Sequence, residues 1–82
     1  MDRAMWQRHL AVAERHVAET QSHITNQRQI VAELEQGGYD TSIARAILTQ
    51  FEATQKLHIE DRDRLQADLS RAEQLPLPLP KP

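Results

Sequence analysis

Four histidines stand in this chain, His9, His16, His23 and His58, and the first three recur at every seventh residue. His16-Val17-Ala18-Glu19 and His58-Ile59-Glu60-Asp61 each place an imidazole and a carboxylate one helical turn apart, and His23 follows Glu19 by a further turn. Imidazoles and carboxylates facing inward are the donor set of metal sites in helical bundles. His16, His23, His58 and Asp61 are therefore the candidate metal ligands. Two features weigh against them. Histidines seven apart on a helix are separated by about 10 Å, so two neighbours share an ion only with help from another helix. Glu19 and Glu60 fall on outward faces. The plainer reading is that these imidazoles flank a helical seam, half buried and hydrogen-bonded, with neither metal nor cofactor bound.

Catalytic chemistry has less support still. Ser22, Ser42 and Ser70 fall on helix surfaces or at a helix start, none in a strained turn beside a base. A Gly-rich phosphate loop and a paired-carboxylate cleft are both missing from the sequence. His58 with Asp61 is the pair to consider for general acid–base work. The chain reads as a non-catalytic protein.

The elements that must position these residues are organised around Glu35-Gln36-Gly37-Gly38-Tyr39-Asp40-Thr41-Ser42, which holds the only two glycines. Gly37 or Gly38 can adopt the left-handed conformation that closes a helix. Asp40, in preference to Thr41, reads as the N-cap of the next helix, with Tyr39 packing on Ala44 as a hydrophobic staple. A turn this short makes its two helices antiparallel neighbours. The expected architecture is all-α: a hairpin over residues 1–74, with helices at about 3–36 and 41–73 joined by loop 37–40.

Hydrophobic periodicity defines the seam. Leu10, Val17, Ile24 and Val31 form one line at seven-residue spacing; Trp6, Ala13, Thr20, Gln27 and Leu34 form the line beside it. His9, His16, His23 and Ile30 make a third. In the second helix the seam is Ala44, Phe51, His58, Leu65 and Ala72, flanked by Ile47, Leu48, Thr54, Gln55, Arg62 and Leu69. Ile43 and Ile59 lie nearer its edges. Folding at the loop lays Leu34 beside Ala44, Val31 beside Ile47, Gln27 beside Phe51, Thr20 beside His58, Ala13 beside Leu65 and Trp6 beside Ala72. The hairpin is thus apolar at its ends and polar at its waist. Two helices bury only a thin seam, so the expectation is a homodimer forming a four-helix bundle. Its interface residues are drawn from Trp6, Leu10, Val17, Ile24, Val31, Leu34, Ile47, Leu48, Phe51, His58, Leu65 and Leu69. Outward pairs such as Glu60–Arg64 and Asp68–Arg71 add about 0.2–0.5 kcal/mol each.

Composition narrows the function classes. At 82 residues, with one Trp, one Tyr and one Phe, the chain cannot build a thick core alone. The absence of cysteine removes disulfides, thiolate metal sites and Cys nucleophiles. A net charge of −2 gives no general attraction for nucleic acid or anionic membrane. The start, Met1 to Trp6, lacks the apolar core of a signal peptide, and no run approaches membrane-spanning length, so a cytoplasmic location is expected. Asp61-Arg62-Asp63-Arg64 alternates in sign and reads as a solvated face. Leu75–Pro82 alternates Leu, Lys and Pro; it reads as a disordered tail, with polyproline II docking to a further protein partner as the functional alternative.

Taken together, His9-Leu10, Glu14-Arg15-His16-Val17, Glu33-Leu34-Glu35, Gly38-Tyr39-Asp40-Thr41, Leu57-His58 and Asp61-Arg62-Asp63-Arg64-Leu65 resemble a group of short uncharacterised proteins of soil alphaproteobacteria. The resemblance covers about residues 9–69, through Ala44, Leu48 and Phe51-Glu52 as well, and stops before the proline tail. It implies a helical hairpin of bacterial origin and carries no activity to transfer. The sequence reading is a small interaction or scaffold protein acting as a self-associating hairpin, with a metal- or small-ligand-binding bundle as the alternative.

Overall fold

The computed structural model describes residues 3–74 and consists there of two helices, α1 (Arg3–Gln36) and α2 (Ser42–Gln74), packed against each other as a hairpin. Helices of 34 and 33 residues follow from runs without Pro or Gly. Such isolated helices gain most of their stability from an apolar face packed on a neighbour.

The loop is set by backbone hydrogen bonds that complete the end of α1. The Tyr39 N–H donates to the Leu34 carbonyl at 2.9 Å and the Gly38 N–H to the Glu35 carbonyl at 3.1 Å. This is the paired pattern of a Schellman motif, which needs a left-handed residue at its centre. Gly38 supplies it with φ of 73°. Gly37 has a different reason for lacking a side chain: a Cβ there would come within 2.6 Å of the Tyr39 ring.

The start of α2 departs from expectation by one residue. The carbonyl of Thr41, not of Asp40, accepts the first helical bond, from the Arg45 N–H at 2.8 Å. Asp40 stands just outside and caps through its side chain. Its Oδ1 accepts from the Ser42 hydroxyl at 2.6 Å and the Ser42 N–H at 2.9 Å. Those two bonds, the hydroxyl's foremost, favour the ionised carboxylate and hold Asp40 below its ordinary value of 3.8. The expected staple does not form. Tyr39 lies over Gly37 and is 70% exposed, because the Schellman turn directs it along the end of α1 rather than onto Ala44.

The seam alternates spacings of three and four along both helices. In α1 it runs through Trp6, Leu10, Ala13, Val17, Thr20, Ile24, Gln27, Val31 and Leu34, all buried or half-buried. In α2 it takes Ala44, Leu48, Phe51, Gln55, His58, Arg62, Leu65, Leu69 and Ala72, likewise. Ile47 and Thr54 fall outside it and are exposed. Ring contacts place His58 against His16 and Phe51 against His23, one turn before the expected partners Thr20 and Gln27. Three polar residues are buried in the seam: Thr20, Gln27 and Gln55. Both glutamines cross to the opposite backbone, Gln27 Nε2 donating to the Ala44 carbonyl and Gln55 Nε2 to the Val17 carbonyl, each at 2.9 Å. These bonds tie the two helices in register. Gln55 Oε1 and Trp6 Nε1 are enclosed without a hydrogen-bond partner.

Candidate interaction face

An antiparallel helix pair has two long sides, each bordered by one flanking line from either helix. On the first side the α1 line of Gln21, Arg28 and Glu35 meets the α2 line of Arg45, Glu52 and Ile59. Arg28 bonds Glu52 at 3.4 Å, Arg45 pairs with Glu35, and Arg3 meets Glu73 at 3.1 Å toward the open end. Exposed pairs of this kind contribute about 1 kcal/mol at most. Their importance here is that they occupy this side with charge.

The second side is different. There His9, His16, His23 and Ile30 of α1 face Ile47, Thr54, Asp61 and Asp68 of α2. His9 lies edge-on to Trp6 at 6.4 Å, His16 tilts against His58 at 5.2 Å, and His23 stacks on Phe51 at 5.5 Å. Each α1 histidine thus covers a ring of the seam. This corrects the expectation of half-buried, hydrogen-bonded imidazoles: His9, His16 and His23 are exposed, and only His58 is half-buried. Their line sits one step outside the seam, where one neighbouring helix covers one edge of a ring and leaves the other to solvent. Asp61, next to His16 in a shallow groove, is engaged by Arg64 through its Oδ1. That pairing replaces the expected Glu60–Arg64 bond. The Asp68–Arg71 pair forms as expected.

The metal candidates do not converge. His23 is committed to Phe51, away from the His16–His58 pair, and among the described residues no three His, Asp or Glu side chains are grouped as a metal site requires. No protein-family model, curated protein or solved structure matches the chain. Among the described residues no helix is long and apolar enough to cross a membrane. The proline-rich segment proposed as a docking tail, Leu75–Pro82, lies outside the described residues.

Among the described residues Tyr39 is exposed at the loop, and the other large exposed apolar side chains lean toward the histidine side. Met5 and Val12 border the His line of α1, Ile30 ends it, and Ile47, Ile43 and Leu57 answer from α2. Ile43 is 78% exposed and Leu57 66%, values that no contact within the hairpin reduces. The periodic pattern alone did not reveal this two-sidedness. Its signal was present in the flanking lines: charged residues alternate on one, while Ile30 and Ile47 end the other.

Proposed function

We propose that this protein is a small non-catalytic interaction or scaffold protein that works by self-association, two hairpins forming a four-helix bundle. The observation that carries this reading is the unfinished seam. Among the described residues no side chain is fully enclosed, and the largest buried apolar residues, Leu10, Ile24 and Leu69, keep 8%, 4% and 7% of their surface. A helix pair bridged by ion pairs on one side, with Ile30 and Ile47 exposed on the other, has a second layer still to add. The bacterial setting rests on the sequence resemblance, and the cytoplasmic one on the lack of an apolar signal-peptide core between Met1 and Trp6.

Light scattering across a concentration series, with helicity followed in parallel, tests the reading. A dimer mass at micromolar concentration is expected, with helicity falling as dilution separates the copies. A monomer that keeps full helicity on dilution refutes it.

A further inference from the structure

The side the second copy covers, and the direction in which it lies, follow from the residues on the two faces. This inference rests on the self-association proposed above. We propose that the histidine side is the interface, and that the second copy packs there with both loops at the same end.

The choice of side comes first. Covering the other side would desolvate Arg28–Glu52 and Glu35–Arg45, which costs more than their attraction returns unless every donor finds a new partner. The histidine side offers exposed Ile30 and Ile47, and its ion pairs, Asp61–Arg64 and Asp68–Arg71, lie within α2 rather than bridging the two helices. Its size is sufficient. A helix of 34 residues is about 50 Å long and a helix pair about 20 Å wide, giving on the order of 1,000 Å² per copy against the roughly 800 Å² per partner of a stable interface.

Orientation follows from complementarity. A face can be laid on a second copy of itself with closed two-fold symmetry in two ways. With the axis across the hairpin, loops lie at opposite ends and each helix covers its own copy. Ile47, near the loop, then meets Asp68, near the open end, and His16 meets His23. That arrangement buries isoleucine against carboxylate and imidazole against imidazole, and Asp61 and Asp68 gain nothing beyond the Arg64 and Arg71 pairs they already have. With the axis along the hairpin, loops lie together and α1 covers α2 of the second copy. Ile30 then meets Ile47, His16 meets Asp61 and His9 meets Asp68, each twice by symmetry. Apolar residues gather at the loop end, and imidazoles meet carboxylates toward the open end. Only this orientation matches chemistry at every level.

The cysteine-free sequence makes the test direct. A single Gln36→Cys variant, spin-labelled, places one probe beside each loop. Loops at one end give a label separation of about 25–35 Å, and loops at opposite ends about 50 Å or more. In parallel, the double variant Ile30→Glu/Ile47→Glu should halve the mass seen by light scattering, with the helicity that wild type shows when diluted to separate copies, because neither side chain is buried within the hairpin. Gln66→Glu, on the ion-paired side, should leave the dimer intact. A wild-type monomer at about 100 μM would overturn this inference and the proposed function together. A dimer with the long label separation, or one indifferent to the Ile30→Glu/Ile47→Glu change, would overturn the arrangement alone and leave self-association standing.

Discussion

Replacing Gln55 by leucine should make the protein more stable. Gln55 is 6% exposed, its Nε2 donates to the Val17 carbonyl, and its Oε1 has no partner. An unmet buried acceptor costs about 1–3 kcal/mol, and the one bond the amide makes returns about 0.5–1.5 kcal/mol. Gln55→Leu removes both. The Val17 carbonyl is not orphaned by the change, since it lies within α1 and keeps its helical partner. The expected gain is about 1 kcal/mol, or roughly 4–8 °C in melting temperature for a chain of this size. Gln27→Leu is the control. Gln27 is equally buried and also crosses to the opposite backbone, at the Ala44 carbonyl, but no atom of its amide is stranded. That change should be neutral or cost up to about 1 kcal/mol. Urea melts followed by circular dichroism at one fixed protein concentration give both values, the fixed concentration removing any effect of association. If Gln55→Leu lowers stability by 1 kcal/mol or more, the Oε1 is satisfied in solution and the reasoning fails. Should Gln55→Leu also broaden the mass distribution, the glutamine would be trading stability for a single register, as polar seam residues do in coiled coils.

Three further outcomes follow from the described contacts. Gly38→Ala should cost about 1–2 kcal/mol, because a Cβ is strained at its φ of 73°, whereas Gly37→Ala only displaces the exposed Tyr39 ring and should cost less; equal costs in denaturant melts would contradict the Schellman assignment. Ile24→Ala should lose about 2–4 kcal/mol, since Ile24 is 4% exposed within the hairpin itself; a loss well under about 1 kcal/mol would show that Ile24 does not sit in the seam. For Asp40 the sign is fixed by its Ser42 bonds: the folded value lies below 3.8, so its contribution is present above that pH and is lost as pH falls through the folded value. The melting-temperature difference between wild type and Asp40→Ala should therefore be constant near neutrality and shrink only below about pH 3.8, and a difference unchanged at the lowest pH would show that the charge is not what caps α2.

Local rules determined most of the fold. The Pro- and Gly-free runs, the glycine pair and the seven-residue spacing of Leu10, Val17, Ile24 and Val31 place two helices and their seam to within a residue of α1 and α2. Each of these signals is carried by residues within a turn or two of one another, so the sequence contains it whole. Within the loop, residue type left two choices that hydrogen bonding decided. Gly38 rather than Gly37 takes the left-handed turn because the donors of Gly38 and Tyr39 must reach Glu35 and Leu34 together. Thr41 rather than Asp40 begins α2, since the Asp40 carboxylate is drawn to Ser42. The histidine line was legible as a line, but periodicity is nearly blind to which flank of a seam a residue occupies. Only the partner helix, bringing Phe51 under His23 and His58 under His16, turned that line into the ring-covered side and left the ion pairs on the other.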